Sequence, residues 1–493
     1  MKKTITALLA VWMCFSCLSL AACNRDNGNE AETTATTENS NLQIGTEDES
    51  SKLDLPNGLK YGEDFSVLTF DSMVDEFGNP DAAEHASIEQ ALFERDKYIE
   101  ELLDIEFKYE KRHGHYEKRY EFSDTVRNAV MGDSKKWNLV AAYSMVPPNL
   151  ALNNAILDLR NVDYIDFEKI WYPEFMVDVS TVNDKTYFIS GDISTNSLYG
   201  MQCVAFSAKQ AEARGITEAQ LYEMVYNNDW TIENMLELVV GLSQELDGDG
   251  VWNDTDFYPV ISSNAGPPDA FFYATGMNMI SETETGRLQV SDDVLSEKVL
   301  DIYSMLYDAQ HTYKTYVTFT NNEKCIMEGK CIFSMSPVIN FRTHWAESQE
   351  RLRVLPFPKY QSTDPYRTYL MSWTTFYCIP ADVDNPDCSG AVMEAMGYLN
   401  YHTVTPVIYE ETMKLRYSEN EDCSAMFDYM RDGRTFELAT LHGMAFDGHG
   451  LGAYTMFRTN LMENCTNWVS TYKNDYEGNL TRVIGLLNNF YLR

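Results

Sequence analysis

Glycine and proline are scarce in this chain. With 26 and 15 of them in 493 residues, it is neither a collagen-like fibre nor a globally disordered polymer. Basic residues are few beside acidic ones, 38 Lys and Arg against 75 Asp and Glu, for a formal charge of −37. A surface so acidic repels phosphate backbones and anionic membrane faces, which argues against nucleic acid as a partner. A mean hydropathy of −0.35 excludes a polytopic membrane protein. The body beyond residue 23 holds no CxxC, and no GxSxG, HExxH or Walker pattern occurs, so the common signatures of redox, hydrolase and nucleotide sites are missing. What is present is apolar substance: 44% hydrophobic and 13% aromatic residues, enough to bury a large core in two or three globular units.

The N-terminus reads as an address. Lys2 and Lys3 precede a largely apolar run from Ile5 to Ala22, the basic and apolar regions of an export signal, spanning 1–22. The run ends in Leu20-Ala21-Ala22-Cys23, which resembles the lipobox of bacterial lipoproteins. That likeness implies cleavage before Cys23, a lipid on its thiol, and a protein held on the outer side of the cell membrane. The competing reading is a membrane anchor, since an 18-residue run nearly spans a bilayer. Cleavage removes two lysines and no acid, taking the charge from −37 to −39. Residues 23–55 are mostly small and polar and are expected to form a flexible leash. Seven cysteines remain beyond Cys23, an odd number with no framework spacing, and the reading favours buried free thiols over disulfides.

Periodicity outlines the body. Phe65–Phe70 reads as a strand, Ile88 to Leu102 as an amphipathic helix, Ile105–Tyr109 as an alternating strand, Thr125–Met131 as a helix and Trp137–Tyr143 as a strand buried on both faces. Strand and helix in alternation predict an open, mostly parallel sheet, with ligands beyond the strands' carboxyl ends near Asp71 and Tyr143-Ser144. Gln202–Phe206 and Cys331–Ser334 read as further strands, Thr231 as a helix cap, and the chain beyond Cys388 as mainly helical.

These residues together resemble the extracellular solute-binding lipoproteins of bacterial ABC importers, in particular the family whose members take up oligosaccharides. The likeness is carried by the Leu20–Cys23 box, Trp137-Asn-Leu-Val, Asp184-Lys-Thr-Tyr-Phe followed by Gly191-Asp-Ile-Ser, the stretch from Phe319 to Gly329-Lys330-Cys-Ile-Phe, Leu355-Pro-Phe-Pro-Lys359 and Thr405-Pro-Val-Ile-Tyr409. It implies an α/β clamshell of two lobes, each an open sheet flanked by helices, joined by crossing strands and closing on a solute. The expected allotment is 56–195 plus 330–372 for one lobe and 196–329 plus 373–493 for the other. Crossings are expected at Gly191–Gly200, Ser334–Pro337 and Trp373–Pro380. The implied role is that of a binding subunit, not an enzyme, acting as a monomer that passes a sugar to a membrane permease.

One acidic loop stands out. Counting Glu245 as position 1, oxygen donors fall at Glu245, Asp247, Asp249, Asn253 and Asp256, with Gly250 at position 6 and the Val251 carbonyl at 7, the spacing of an EF-hand-type loop. Hard oxygen ligands at that spacing predict a structural Ca²⁺, although Glu replaces Asp at the first position and Asp replaces Glu at the last. The alternative is a plain acidic turn.

Sugar clefts use aromatic faces for C–H surfaces and polar groups for hydroxyls. Strand-end or hinge placement selects Asp71, Tyr143, Ser144, Asp192, Asn264, Phe272, Ser336 and Trp373 as candidate contacts. With 31 Tyr, 24 Phe and 8 Trp in the chain, any single aromatic is more often core than cleft. His113-Gly-His115 is read as an exposed loop, because no third ligand lies nearby in sequence. Two other roles stay open: a sensor that presents solute to a membrane kinase, and a glycoside hydrolase, which needs two carboxylates across the scissile bond.

Overall fold

A computed structural model describes residues 49–78, 87–263, 266–414, 420–446 and 462–493. The signal segment, Cys23 and Asn264 lie outside the described residues, which belong to one contact unit running from Asp48 to Arg493.

Two sheets organise the body. The first contains β1 (Glu63–Phe70), β2 (Ile105–Arg112), β3 (Leu139–Tyr143) and β10 (Thr375–Cys378) in the order β10-β3-β1-β2. β1 runs parallel to both neighbours, pairing Val67 with Tyr109 and with Leu139, while β10 closes the edge antiparallel, Thr375 against Tyr143. The second contains β4 (Gln202–Ser207), β5 (Val260–Ser262), β6 (Tyr316–Thr318), β7 (Phe333–Pro337) and β8 (Leu352–Leu355) in the order β6-β5-β7-β4-β8. Its β6, β5 and β7 are parallel, and β4 is antiparallel to both β7 and β8. The short β9 (Thr368–Tyr369) pairs with Arg434–Thr435.

Every residue of β3 and β4 is buried, as expected of strands covered on both faces. Helix α1 (Ser87–Leu103) buries Ile88, Leu92, Ile99 and Leu103 against the first sheet. Arg95, which falls on the same stripe, is buried too. Its guanidinium pairs with Asp96 at 2.5 Å, donates to the Glu76 carbonyl at 2.8 Å and reaches Asn400 at 2.9 Å. Helix α2 (Arg119–Met131) follows β2, and α3 (Pro386–Leu399) follows β10 and packs on α1. Thr231 caps its helix as expected, accepting the Asn234 N–H at 3.2 Å. All seven body cysteines are buried thiols outside any disulfide, with burial pushing the Cys203 thiol well up. Among the described residues no helix is long and apolar enough to cross a membrane.

The chain passes between the sheets at 189–201 and returns at 370–374. Bridges of Ile189 with Tyr377 and of Met201 with Leu370 hold the two crossings side by side. Two expectations are corrected here. Ser334–Pro337 is not a crossing, because it forms β7 inside the second sheet, Ser336 opposite Cys203. The allotment of strands also changes: β7 and β8, within 330–372, belong with 202–318, and Thr375–Cys378 returns to the first sheet. The leash is shorter than 23–55 as well. Glu49–Ser51 is fastened to the body, with Lys169 Nζ donating to the Glu49 carbonyl at 2.9 Å and to Asp54, and Ile170 N–H to the Ser50 carbonyl at 3.1 Å.

Candidate functional site

The carboxyl ends of β1 and β3 meet the second crossing, and four predicted residues gather there. Asp71, just past β1, accepts the backbone N–H groups of Gly114 at 2.8 Å and His115 at 3.2 Å, and lies 2.9 Å from His113 Nδ1. Partial burial pushes its carboxyl up, but these donors outweigh that and hold it below the usual carboxylate range. Tyr143, at the end of β3, is 2% exposed and bonds through its hydroxyl to Ser372 Oγ at 2.7 Å. Ser144 Oγ donates to the Ser372 carbonyl at 2.5 Å. Trp373, the next residue, is buried beside this knot.

The His113–His115 loop belongs to the cluster. Clamped by Asp71, it lays the His115 ring 5.4 Å from that of Tyr143, and the Tyr116 ring lies 6.3 Å from Tyr143. Gly114 is required by close approach, since a Cβ there would stand 2.5 Å from Phe122 Cδ2 and 2.8 Å from Phe70 Cβ. His113 is exposed, as the sequence reading had it, whereas burial pushes the His115 imidazole down, and its Nε2 has no partner among the described residues. Tyr116 keeps 38% of its surface exposed. An aromatic face and a neutral imidazole therefore stand at the strand ends. Sequence reasoning missed both, because it weighed the two histidines only as a metal or anion site and did not single out Tyr116.

Behind the cluster lies a buried carboxylate that the sequence did not mark. Glu76, 2% exposed, accepts from Ser194 Oγ at 2.7 Å, Thr195 N–H at 2.8 Å, Thr195 Oγ1 at 3.1 Å, Asn196 Nδ2 at 2.7 Å and Tyr377 OH at 3.1 Å. It thus joins the segment after β1 to the first crossing and to β10. The crossing opens at Gly191 with φ +132, where a Cβ would meet the Trp171 carbonyl at 2.6 Å.

The other predicted contacts lie elsewhere. Asp192 is buried in the first crossing with its Oδ1 3.8 Å from Arg434 Nη1; burial raises its pKa against the pull of that guanidinium. Phe272 is fully buried in the helix Pro267–Tyr273 and packs edge-on against Tyr273. Ser336 is buried in β7 and takes a bond from Asn322 Nδ2 at 2.8 Å.

In the acidic loop, Glu245, Asp247 and Asp249 place ligand oxygens within 4.8 Å of one another. Thr255 Oγ1 donates to Asp247 at 2.8 Å, which is the leading cause of that carboxyl's lowered pKa. Asp256, expected as the last ligand, is buried and spends its two oxygens on the N–H groups of Leu246 and Asn253, both at 2.9 Å. The Val251 carbonyl accepts from Asn253 Nδ2 at 3.1 Å. No second helix follows: Phe257 bridges back to Gln244, and the chain enters β5. The loop therefore assembles three carboxylates above an Asp256 clasp.

No family model and no curated protein matches the chain in sequence. Solved structures do match in fold. An ABC transporter solute-binding protein from Thermotoga lettingae TMO, bound to α-D-tagatose, superposes with a TM-score of 0.51 at 13% identity over 87% of this chain and 100% of its own. A cyclo/maltodextrin-binding protein complexed with maltotetraose gives 0.53 at 9% identity over 86% and 96%. UgpB from Mycobacterium tuberculosis, complexed with glycerophosphocholine, gives 0.52 at 12% over 87% and 97%. Two helix-flanked sheets joined by paired crossings, matched along nearly the whole length of these proteins, make this the two-lobed fold of ABC-transporter solute-binding proteins.

Proposed function

We propose that this chain is a non-enzymatic solute-binding protein that captures a carbohydrate between its lobes and hands it to an ABC permease, tethered outside the cell by a lipid on Cys23. The observation that carries the reading is the cluster at the ends of β1 and β3. There the exposed Tyr116 ring and the His115 imidazole, whose Nε2 has no partner among the described residues, set an apolar face beside a hydroxyl-bonding group, the chemistry a sugar needs, while the buried bonds of Tyr143 and Ser144 to Ser372 hold the strand end to the crossing. The fold likeness supports the same reading, and ligand-driven closure about the two crossings is the mechanism it implies. The net charge of −37 disfavours an anionic solute.

Calorimetry against tagatose, maltotriose, maltotetraose and glycerophosphocholine, with product analysis alongside, tests this. Heat of binding with a sugar and no product is expected, and Tyr116→Ala should weaken that binding about tenfold, near the upper end of an aromatic contact's worth. Cleavage of a sugar would overturn the binding-only reading, and failure of every sugar would overturn the carbohydrate assignment.

The acidic loop is read as a structural Ca²⁺ site. Its donor set fits in part: three hard carboxylates converge through Glu245, Asp247 and Asp249, and Asp256 holds the loop closed instead of completing the ligand shell.

A further inference from the structure

Helix α1 follows β1, so its first turn stands at the carboxyl end of the first sheet. The short helix Ile339–Arg342 follows β7 and stands at the carboxyl end of the second. Across this gap Arg342 Nη2 donates to Glu89 Oε1 at 2.7 Å, with the two side chains 29% and 23% exposed. Arg342 is held from below by the first crossing: its Nη1 lies 3.4 Å from the Tyr199 hydroxyl, and its guanidinium carbon is 5.6 Å from the centre of the Tyr199 ring. Glu89 Oε2 is buried and has no partner among the described residues, so the carboxylate depends on Arg342 for compensation.

We propose that Glu89 and Arg342 form a latch between the lobes that biases the solute-free protein toward the arrangement with the strand ends together. Glu89 travels with the first lobe and Arg342 with the second, so a rotation that parts the strand ends must break this bond. Tyr199 preorganises the guanidinium at the crossing, which lessens the side-chain entropy lost each time the latch forms. A hydrogen-bonded pair of this exposure shifts a two-state population by about two- to fivefold. The proposal rests on the clamshell reading above, but its test uses no solute.

Small-angle scattering would be recorded at 50 mM and 1 M NaCl for the solute-free wild type, Glu89→Gln, Arg342→Gln and the charge exchange Glu89→Arg/Arg342→Glu. Both single variants should have a larger radius of gyration than the wild type at low salt. The wild type should approach them at 1 M salt, and the exchange should return toward the wild-type value. Equal radii in all four proteins at both salts would overturn the latch, as would an exchange that behaves like the single variants. Circular dichroism melting reports whether each variant folds; should one fail, the other and the salt response of the wild type decide. A wild type that opens with salt yet binds no sugar would overturn the proposed function and leave the latch standing.

Discussion

Replacing Glu76 tests whether a buried carboxylate holds the crossings in place. In Glu76→Gln the shape is kept, but one oxygen becomes an NH2 group among five donors. The Ser194, Thr195 and Tyr377 hydroxyls can rotate and accept from it. Thr195 N–H cannot, and Asn196 is fixed because its Oδ1 accepts the Val74 N–H at 3.2 Å. Wherever the amide turns, a donor faces a donor on one side, and the charge that strengthened the remaining bonds is gone. Bonds to a charged group contribute about 1.5–3 kcal/mol each, so losing one and weakening the others should cost roughly 2–4 kcal/mol. Equilibrium urea unfolding by tryptophan fluorescence measures this, with Glu237→Gln on an outer helix face as a control expected within about 0.5 kcal/mol of wild type. A Glu76→Gln protein as stable as the control would refute the claim that this carboxylate organises the crossings.

Two further outcomes can be checked on the purified protein. Burial pushes Glu394, in α3, up from 4.5 to about 8. Its neutral form is the folded one, so its stabilising contribution is complete below pH 4.5 and is lost as pH rises toward 8. Glu394→Gln cannot ionise, and its stability relative to wild type should therefore improve by ~2–4 kcal/mol between pH 5 and pH 8 in urea melts; a gap that stays constant with pH counts against the assignment. Adding millimolar Ca²⁺ to chelator-treated protein should raise the melting temperature by a few degrees, and Asp247→Asn/Asp249→Asn should abolish the rise; no response in the wild type would make the loop an acidic turn.

Much of the local structure was legible in the sequence. The strands at Phe65–Phe70, Ile105–Tyr109 and Gln202–Phe206, the helix from Ile88 and the Thr231 cap were read from periodicity and capping chemistry. Each of these is decided by residues within a few positions of one another. Asp71, Tyr143 and Ser144 could be placed together because an alternating α/β pattern fixes where parallel strands end.

Which sheet a strand joins was not legible. A buried apolar strand such as Phe333–Pro337 carries the same pattern in either lobe, and only pairing partners distant in sequence, at Val260–Ser262 and Gln202–Phe206, decide between them. Phe272 likewise looks the same in sequence whether it faces a cleft or a core. Glu76 was invisible for a related reason: an acid in an acidic chain means nothing until Ser194, Thr195, Asn196 and Tyr377 converge on it. By itself, then, the sequence determined the elements, the buried thiols, the acidity and the place where strand ends would gather. Tertiary structure decided the allotment of strands to lobes, the clamping of the His115 loop by Asp71, and the Glu89–Arg342 bond across the gap. Helix and strand are set by neighbours along the chain, whereas a lobe, a hinge and a latch are set by neighbours in space.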